Sequence, residues 1–339
     1  MRSYLGFLFF FVACSPAPLP PAGGGRDRSE AEVPHACVDS VVSAQNDLSH
    51  VQGGRIAFTL RDADGLLQIF TANPDGSDKR ELTFEGQNGL PDWSPDGTQI
   101  AFITVRSDGP YLAVMREDGA NQRIFSRGGV APDWSPDGHT LAFSKDSQIW
   151  VVNPDGSGER QVTSSATTKA RPSWSPDARR LVFILVGNPG NPTDPQPQIG
   201  IVDADGVNER RLTVDDRTNV CAESDGGTRV LETAHDANAP AWSPVDDRIA
   251  FWSGIENHYG QVWTTNADGT DSRQLTEETK HSNNDDPSWS PDGTKILFST
   301  GRSGQNEPWV MDADGRNEMR LFPIDAGPFP GRASWQPRP

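Results

Sequence analysis

Three histidines and four carboxylates in the last third of this 339-residue chain carry its most evident chemical potential: His235, His258 and His281, with Asp236, Glu256, Asp285 and Asp286. Neutral imidazoles combined with carboxylates are the ligand set of a divalent cation. Sequence places these residues in one sector of the repeat described below and does not show that they converge. A metal site and a set of solvated loop residues are therefore both open. No other cofactor is expected.

Other chemistries lack their signatures. The chain has no Gly-x-Ser-x-Gly elbow, no P-loop, no dinucleotide fingerprint and no His-Glu-x-x-His, so no catalytic residue is assigned. Asp203-Ala204-Asp205-Gly206 and Asp312-Ala313-Asp314-Gly315 alternate carboxylates as calcium loops do, but they lack the EF-hand spacing and its distal Glu. Their other copies read Asn-Pro-Asp-Gly and Asn-Ala-Asp-Gly, which marks the set as hairpin turns. The arginines that follow, among them Arg80, Arg160 and Arg273, are expected to pair with the turn carboxylates. As surface pairs they contribute at most about 1 kcal/mol each.

The elements that must position any site are repeated. A tryptophan followed by a turn recurs at Trp93, Trp134, Trp174, Trp242, Trp289 and Trp335, mostly as Trp-Ser-Pro-Asp-Gly. A short apolar segment follows each turn, as in Ile100-Ala101-Phe102 and Leu141-Ala142-Phe143. A third segment mostly opens on Gln, at Gln68, Gln148, Gln198 and Gln261, and ends in an Asp-Gly turn. A fourth closes on Leu-Thr or a similar pair, as in Arg80-Glu81-Leu82-Thr83. Period-two or continuous apolar runs between such turns are strands, and four of them make one propeller blade.

The ends give the blade count. The first repeat starts at Gly54 with a second strand and no tryptophan strand before it, whereas Trp335 is a tryptophan strand with no second strand after it. Joined, they complete a blade. The expected fold is all-β: a six-bladed β-propeller of four-stranded blades over residues 54–339, closed by a C-terminal strand joining the first blade. The six tryptophans are expected to pack between blades, and Trp150, Trp263 and Trp309 on third strands take the same role.

This order of Trp-Ser-Pro-Asp-Gly, apolar strand, Asp-Gly and Arg-x-Leu-Thr resembles the TolB-like propeller repeat, a relative of the WD-type repeat, over about residues 54 to 337. The resemblance implies an envelope-associated binding or scaffolding propeller without enzymatic activity. TolB itself carries an N-terminal α/β domain, for which the segment between Cys14 and Gly54 leaves no room. Propellers with related repeats also cap serine peptidases, and no hydrolase segment follows Trp335. Some propeller polysaccharide lyases with similar repeats hold a metal through channel histidines. A metal-dependent lyase or other carbohydrate-active enzyme using His235, His258 and His281 is thus the alternative reading.

The N-terminus points to export. Residues 1–13 read as a signal peptide, with an apolar run too short to span a bilayer. Cys14, where that run stops, resembles the lipidated Cys of a bacterial lipoprotein, with an ordinary signal peptide cleaved near Ala17 as the alternative. Residues 14–53 begin with Pro, Gly and charge and form a tether and N-terminal segment. In an oxidising envelope Cys37 and Cys221 could pair, though the topology puts them toward opposite faces. A formal net charge of −17 argues against nucleic acid and bare anionic lipid as partners. The expected partner is an envelope protein or a cell-wall or surface polymer, met by a monomer whose only membrane contact is a lipid anchor in the outer membrane or periplasm.

Departures from the repeat locate the candidate surface. Trp174 and Trp242 are 68 residues apart, against 40 to 47 for the other tryptophan intervals, because blade four gains loops at 184–197 and 214–240. Both leave the face where the innermost strands begin, called the top here. The histidines and carboxylates fall on the same side, so this face is the expected binding surface.

Overall fold

The structure is a computed structural model that describes residues 54–186, 197–213, 236–254, 260–277, 283–322 and 332–337. Cys14, Cys37, Cys221, His235, Glu256, His258 and His281 lie outside the described residues, as do most of the two long blade-four loops.

Alternating apolar strands broken by Asp-Gly turns give six antiparallel sheets of four strands, each sheet one blade. Blade 1 holds β1 (Ile56–Arg61), β2 (Leu67–Ala72) and β3 (Arg80–Glu81). Blade 2 holds β4 (Gln87–Trp93), β5 (Gln99–Arg106), β6 (Gly109–Arg116) and β7 (Arg123–Arg127). Blade 3 holds β8 (Val130–Trp134), β9 (Leu141–Lys145), β10 (Gln148–Val152) and β11 (Arg160–Gln161). Blade 4 holds β12 (Thr168–Trp174), β13 (Arg180–Val186), β14 (Gln198–Asp203) and β15 (Arg210–Arg211). Blade 5 holds β16 (Asp236–Trp242), β17 (Arg248–Gly254), β18 (Gln261–Asn266) and β19 (Arg273–Gln274). Blade 6 holds β20 (Asn284–Trp289), β21 (Lys295–Thr300), β22 (Glu307–Asp312) and β23 (Met319–Arg320). The last strand, β24 (Ser334–Trp335), pairs antiparallel with β1 and becomes the innermost strand of blade 1. The fold is the closed six-bladed ring that the repeat predicts.

The core sits between blades. Ala57, Ile69 and Leu82 of blade 1 pack with Trp93, Ile100 and Phe102 of blade 2, and Val182, Ile199 and Leu212 of blade 4 with Trp242, Ile249 and Phe251 of blade 5. Each innermost-strand tryptophan is buried, and half-buried Trp150, Trp263 and Trp309 flank the same interblade clusters. Burial of large aromatic area at each seam is the main force holding the blades together.

Polar repeats fix the strand ends. In Trp-Ser-Pro-Asp-Gly the Ser135 hydroxyl donates to Asp137 Oδ1 (2.6 Å), which also accepts the His139 amide (3.0 Å), while the Gly138 amide donates to the Ser135 carbonyl (2.8 Å). The Ser135 hydroxyl, and against burial the His139 amide, hold the Asp137 carboxyl below its ordinary range. The third-strand Gln is buried for a like reason. Gln68 Oε1 accepts from Thr83 Oγ1 (2.7 Å) and from Asn88 Nδ2 (2.8 Å), which ties strand three to the Leu-Thr pair and to the next blade. Gln261 repeats this with Thr276 and Asn284.

The Asp-Gly turns are hairpin turns. Gly206, at φ 92°, donates to the Asp203 carbonyl (2.8 Å), and a Cβ there would come within 2.4 Å of the Val162 carbonyl of the preceding blade. Glycine is therefore required both by backbone conformation and by close approach. The arginine pairing differs from expectation. Arg80 pairs with Asp78 and Arg273 with Asp271, each two residues before it, and Arg160 donates to the Ala204 carbonyl of the next blade. The turn carboxylates are already taken, since Asp75 and Asp155 accept from Ser77 and Ser157, and Asp268 from Thr270. A carboxylate bonded within its own two-residue turn is closed to a longer, more entropically costly partner.

Candidate functional site: the central channel

Five innermost strands carry the same irregularity. The register of β4, β8, β12, β16 and β20 against the second strand shifts just before the tryptophan. At each shift a non-glycine residue before a proline has positive φ: Leu90 (52°), Ala131 (53°), Arg171 (51°), Ala239 (49°) and Asp286 (49°). A bulge breaks the alternation of a strand and re-aims one side chain. A left-handed backbone at a non-glycine residue costs on the order of 1–2 kcal/mol, so five copies mark a feature built into the ring. The sixth equivalent position, three residues before Trp335, is Arg332.

The re-aimed side chains meet across the channel. Arg171 on β12 donates to the Asp286 carboxylate on β20, although blade 5 separates their strands. Arg332 Nη2 lies 2.8 Å from Asp133 Oδ1 on β8 and 3.6 Å from Asp92 Oδ1 on β4. Contacts between non-adjacent blades can pass only through the lumen, so these groups line it and bridge it. Asp92 and Asp133, one residue before their tryptophans, also accept the amides of Trp134 and Trp174 in the next blade (2.8 Å each).

The electrostatics follow from enclosure. Burial, then the charge of Asp92, raise Asp133 to about 7 against the opposing Arg332. Burial, then the charge of Asp286, raise Asp285 to about 7 against Arg171, Ser299 and Asn283. Asp92 is likewise raised by burial, opposed by Arg332. Among the described residues, four lumen carboxylates face two guanidinium groups, an excess of negative charge whenever all are ionised.

Of the sequence candidates, only Asp285 and Asp286 fall among residues whose side chains are described. Both are engaged, Asp286 by Arg171 and Asp285 by Asn283 (2.9 Å). Among the described residues no group of three or more His, Cys, Asp or Glu stands together in a metal-binding arrangement. Sequence reasoning missed Asp92, Asp133, Arg171 and Arg332. Their signal was the repeated proline two residues before five of the tryptophans, which marks the bulge and so the re-aimed position.

Ring, bulges and seam tryptophans define a six-bladed β-propeller. The family model for the TolB β-propeller domain matches residues 90–237. Among curated relatives, a TolB homolog of Chlorobium luteolum is 32% identical over 173 residues, 49% of this chain and 39% of that protein. The Tol-Pal system protein TolB of Anaeromyxobacter dehalogenans is 30% identical over 147 residues, 41% and 34% of the two chains. This chain thus spans less than two-fifths of the length of these relatives in the matched region.

Solved structures agree on the fold. TolB from Acinetobacter baumannii superposes with a TM-score of 0.66 at 20% identity, over 84% of this chain and 67% of that one. An oligogalacturonate lyase in complex with manganese gives 0.50 at 16% identity, over 79% and 72%. At such identities the likeness concerns architecture alone, and the same ring hosts binding and catalysis in different proteins.

Proposed function

We propose that this protein is a non-enzymatic binding module of the bacterial cell envelope, whose ring engages a protein or an envelope polymer through the top face. The observation that carries this reading is the TolB domain match over residues 90–237, together with relatives named for the Tol-Pal system. The geometry supports it. Cross-lumen pairs tie non-adjacent blades together, so the ring is a stiff platform and its top loops are the variable part. The lumen groups described here are spent on one another, with no nucleophile and base paired for reaction.

The same reading has the chain exported and held by lipid on Cys14, with residues 14–53 as the tether. A single substitution tests the anchor. Cys14→Ser moves the protein from the membrane fraction to the soluble fraction and abolishes fatty-acid labelling, since acyl anchoring scales at about 0.8 kcal/mol per buried CH₂. Fractionation of the variant identical to that of the parent contradicts the anchor. The binding role itself is tested against catalysis by incubating purified protein with acidic polysaccharides and Mn²⁺. No unsaturated product forms, and His235→Ala, His258→Ala and His281→Ala combined change neither thermal stability nor its response to metal. Eliminative cleavage that those substitutions abolish contradicts the reading.

A further inference from the structure

At two seams an arginine of one blade lies on the tryptophan of the next. Arg180 Cζ stands 4.9 Å from the ring centre of Trp242, and Arg248 Cζ 5.1 Å from that of Trp289. Each arginine begins the second strand of its own blade, directly after the turn that follows that blade's tryptophan. A turn carboxylate completes the arrangement, since Arg180 donates to Asp247 in the turn after Trp242 (2.8 Å) and Arg248 to Asp246 (2.8 Å). An aromatic surface and a carboxylate together hold a flat, weakly hydrated guanidinium.

The seam between blades 2 and 3 lacks that arginine. Of the equivalent residues Arg55, Gln99, Thr140, Arg180, Arg248 and Lys295, only Gln99 and Thr140 carry no charge. Beside Gln99, at the end of the ring opposite the top face, lies a cleft of about 420 Å³ lined by Trp134 with Asp96, Asp137 and His139. None of the residues lining it is Lys or Arg. Its carboxylates keep accepting capacity. Asp137 Oδ1 takes the Ser135 hydroxyl and the His139 amide, and among the described residues Oδ2 takes no bond. At Asp96 burial is outweighed by bonds from Ser94 and Thr98, which hold the carboxyl below its ordinary range.

We infer that this cleft binds the guanidinium group of a small solute, which lies against Trp134 and is received by the carboxylates of Asp137 and Asp96 as Arg180 is received by Trp242 and Asp247. The chain itself supplies the template for the ligand, because both seams that show the arrangement use guanidinium and neither uses ammonium. A planar cation covers an aromatic surface while its edge N–H groups reach carboxylate oxygens, which a compact ammonium does less well. The cleft has the volume of a small-molecule site. It stands apart from the top face, so the inference does not rest on the binding role proposed there.

Titration of the full chain with methylguanidinium chloride tests this, followed by NMR of the Trp134 indole N–H, which is identified by its loss in Trp134→Phe. The signal shifts saturably with a midpoint on the order of 1–10 mM, as one cation–π contact and a charged hydrogen bond provide. Sodium chloride at equal ionic strength gives no such shift, and methylammonium binds more weakly. Gln99→Arg places the chain's own guanidinium in the cleft and weakens binding at least about tenfold without lowering the unfolding midpoint. Asp137→Asn keeps the Oδ1 acceptor of the turn, removes the charge and weakens binding several-fold, which decides the matter should Gln99→Arg not fold. No saturable shift below about 50 mM, a weaker affinity than any that these contacts imply, overturns the proposal in the parent alone. So do an equal response to sodium chloride, methylammonium binding as tightly as methylguanidinium, or a folded Gln99→Arg or Asp137→Asn protein with the parent's affinity.

Discussion

Arg171 and Asp286 form an ion pair across the central channel, from the position three residues before the tryptophan of one innermost strand to the same position of another two blades away. Neither residue is near the other in sequence, and each is presented by a bulge at positive φ. The pair makes the lumen a structural element, because it couples blades that share no interface.

Loss of one partner should therefore cost more than a surface substitution. Arg171→Met removes the guanidinium paired with Asp286 beside Asp285, and the expected loss is about 1–3 kcal/mol in denaturant unfolding. Combined with Asp286→Asn, the loss is smaller than the sum of the single changes. Additive effects would show that the contact contributes nothing across the ring.

The seam tryptophans separate into two kinds. Trp93 has a buried indole N–H with no hydrogen-bond partner, whereas Trp289 Nε1 donates to the Ala241 carbonyl (3.0 Å). Trp93→Phe loses only packing. Trp289→Phe also removes the indole hydrogen bond to the Ala241 carbonyl and should cost about 1 kcal/mol more. Alanine at either position costs about 3–5 kcal/mol, read by thermal or denaturant unfolding. Equal losses for the two phenylalanine variants would contradict the assignment of the Trp289 bond.

Stability should peak in mildly acid solution. Asp133 and Asp285, raised to about 7, favour the folded state as pH falls from about 7 toward the ordinary carboxylate range. Asp137, lowered by Ser135, acts oppositely, since its contribution is present above the ordinary range and is lost as pH falls through its folded value. Asp285→Asn should narrow the gap between unfolding midpoints at about pH 5 and pH 8, by about 1 kcal/mol. An unchanged gap would mean that Asp285 does not carry a shared charge with Asp286.

The ring was legible in sequence because its determinants are local. Trp-Ser-Pro-Asp-Gly, the Gln of strand three and the Asp-Gly turns each act within a few residues of themselves, and the unpaired halves at Gly54 and Trp335 fixed six blades with a shared seam. The arginine pairing was misread because proximity to the turn Asp was taken as contact, while Ser77, Ser157 and Thr270 had already claimed those oxygens. The channel was not legible for a different reason. Arg332 and Asp133 lie 199 residues apart, and only a bulge together with ring closure brings them to 2.8 Å. Periodicity alone would have sent such side chains into alternating faces of a regular strand.

The central claim is that the top face engages an envelope partner, and in-cell photo-crosslinking tests it most directly. Phe84, exposed in the connection between blades 1 and 2 at the top, and Thr98, exposed in a turn at the opposite end, offer matched positions for a photoreactive residue. The account predicts a discrete crosslinked species, or a shift onto cell-wall polymer, from position 84 and none from position 98. Crosslinks from position 98 alone would contradict it, as would none from either position in cells where the protein is exported.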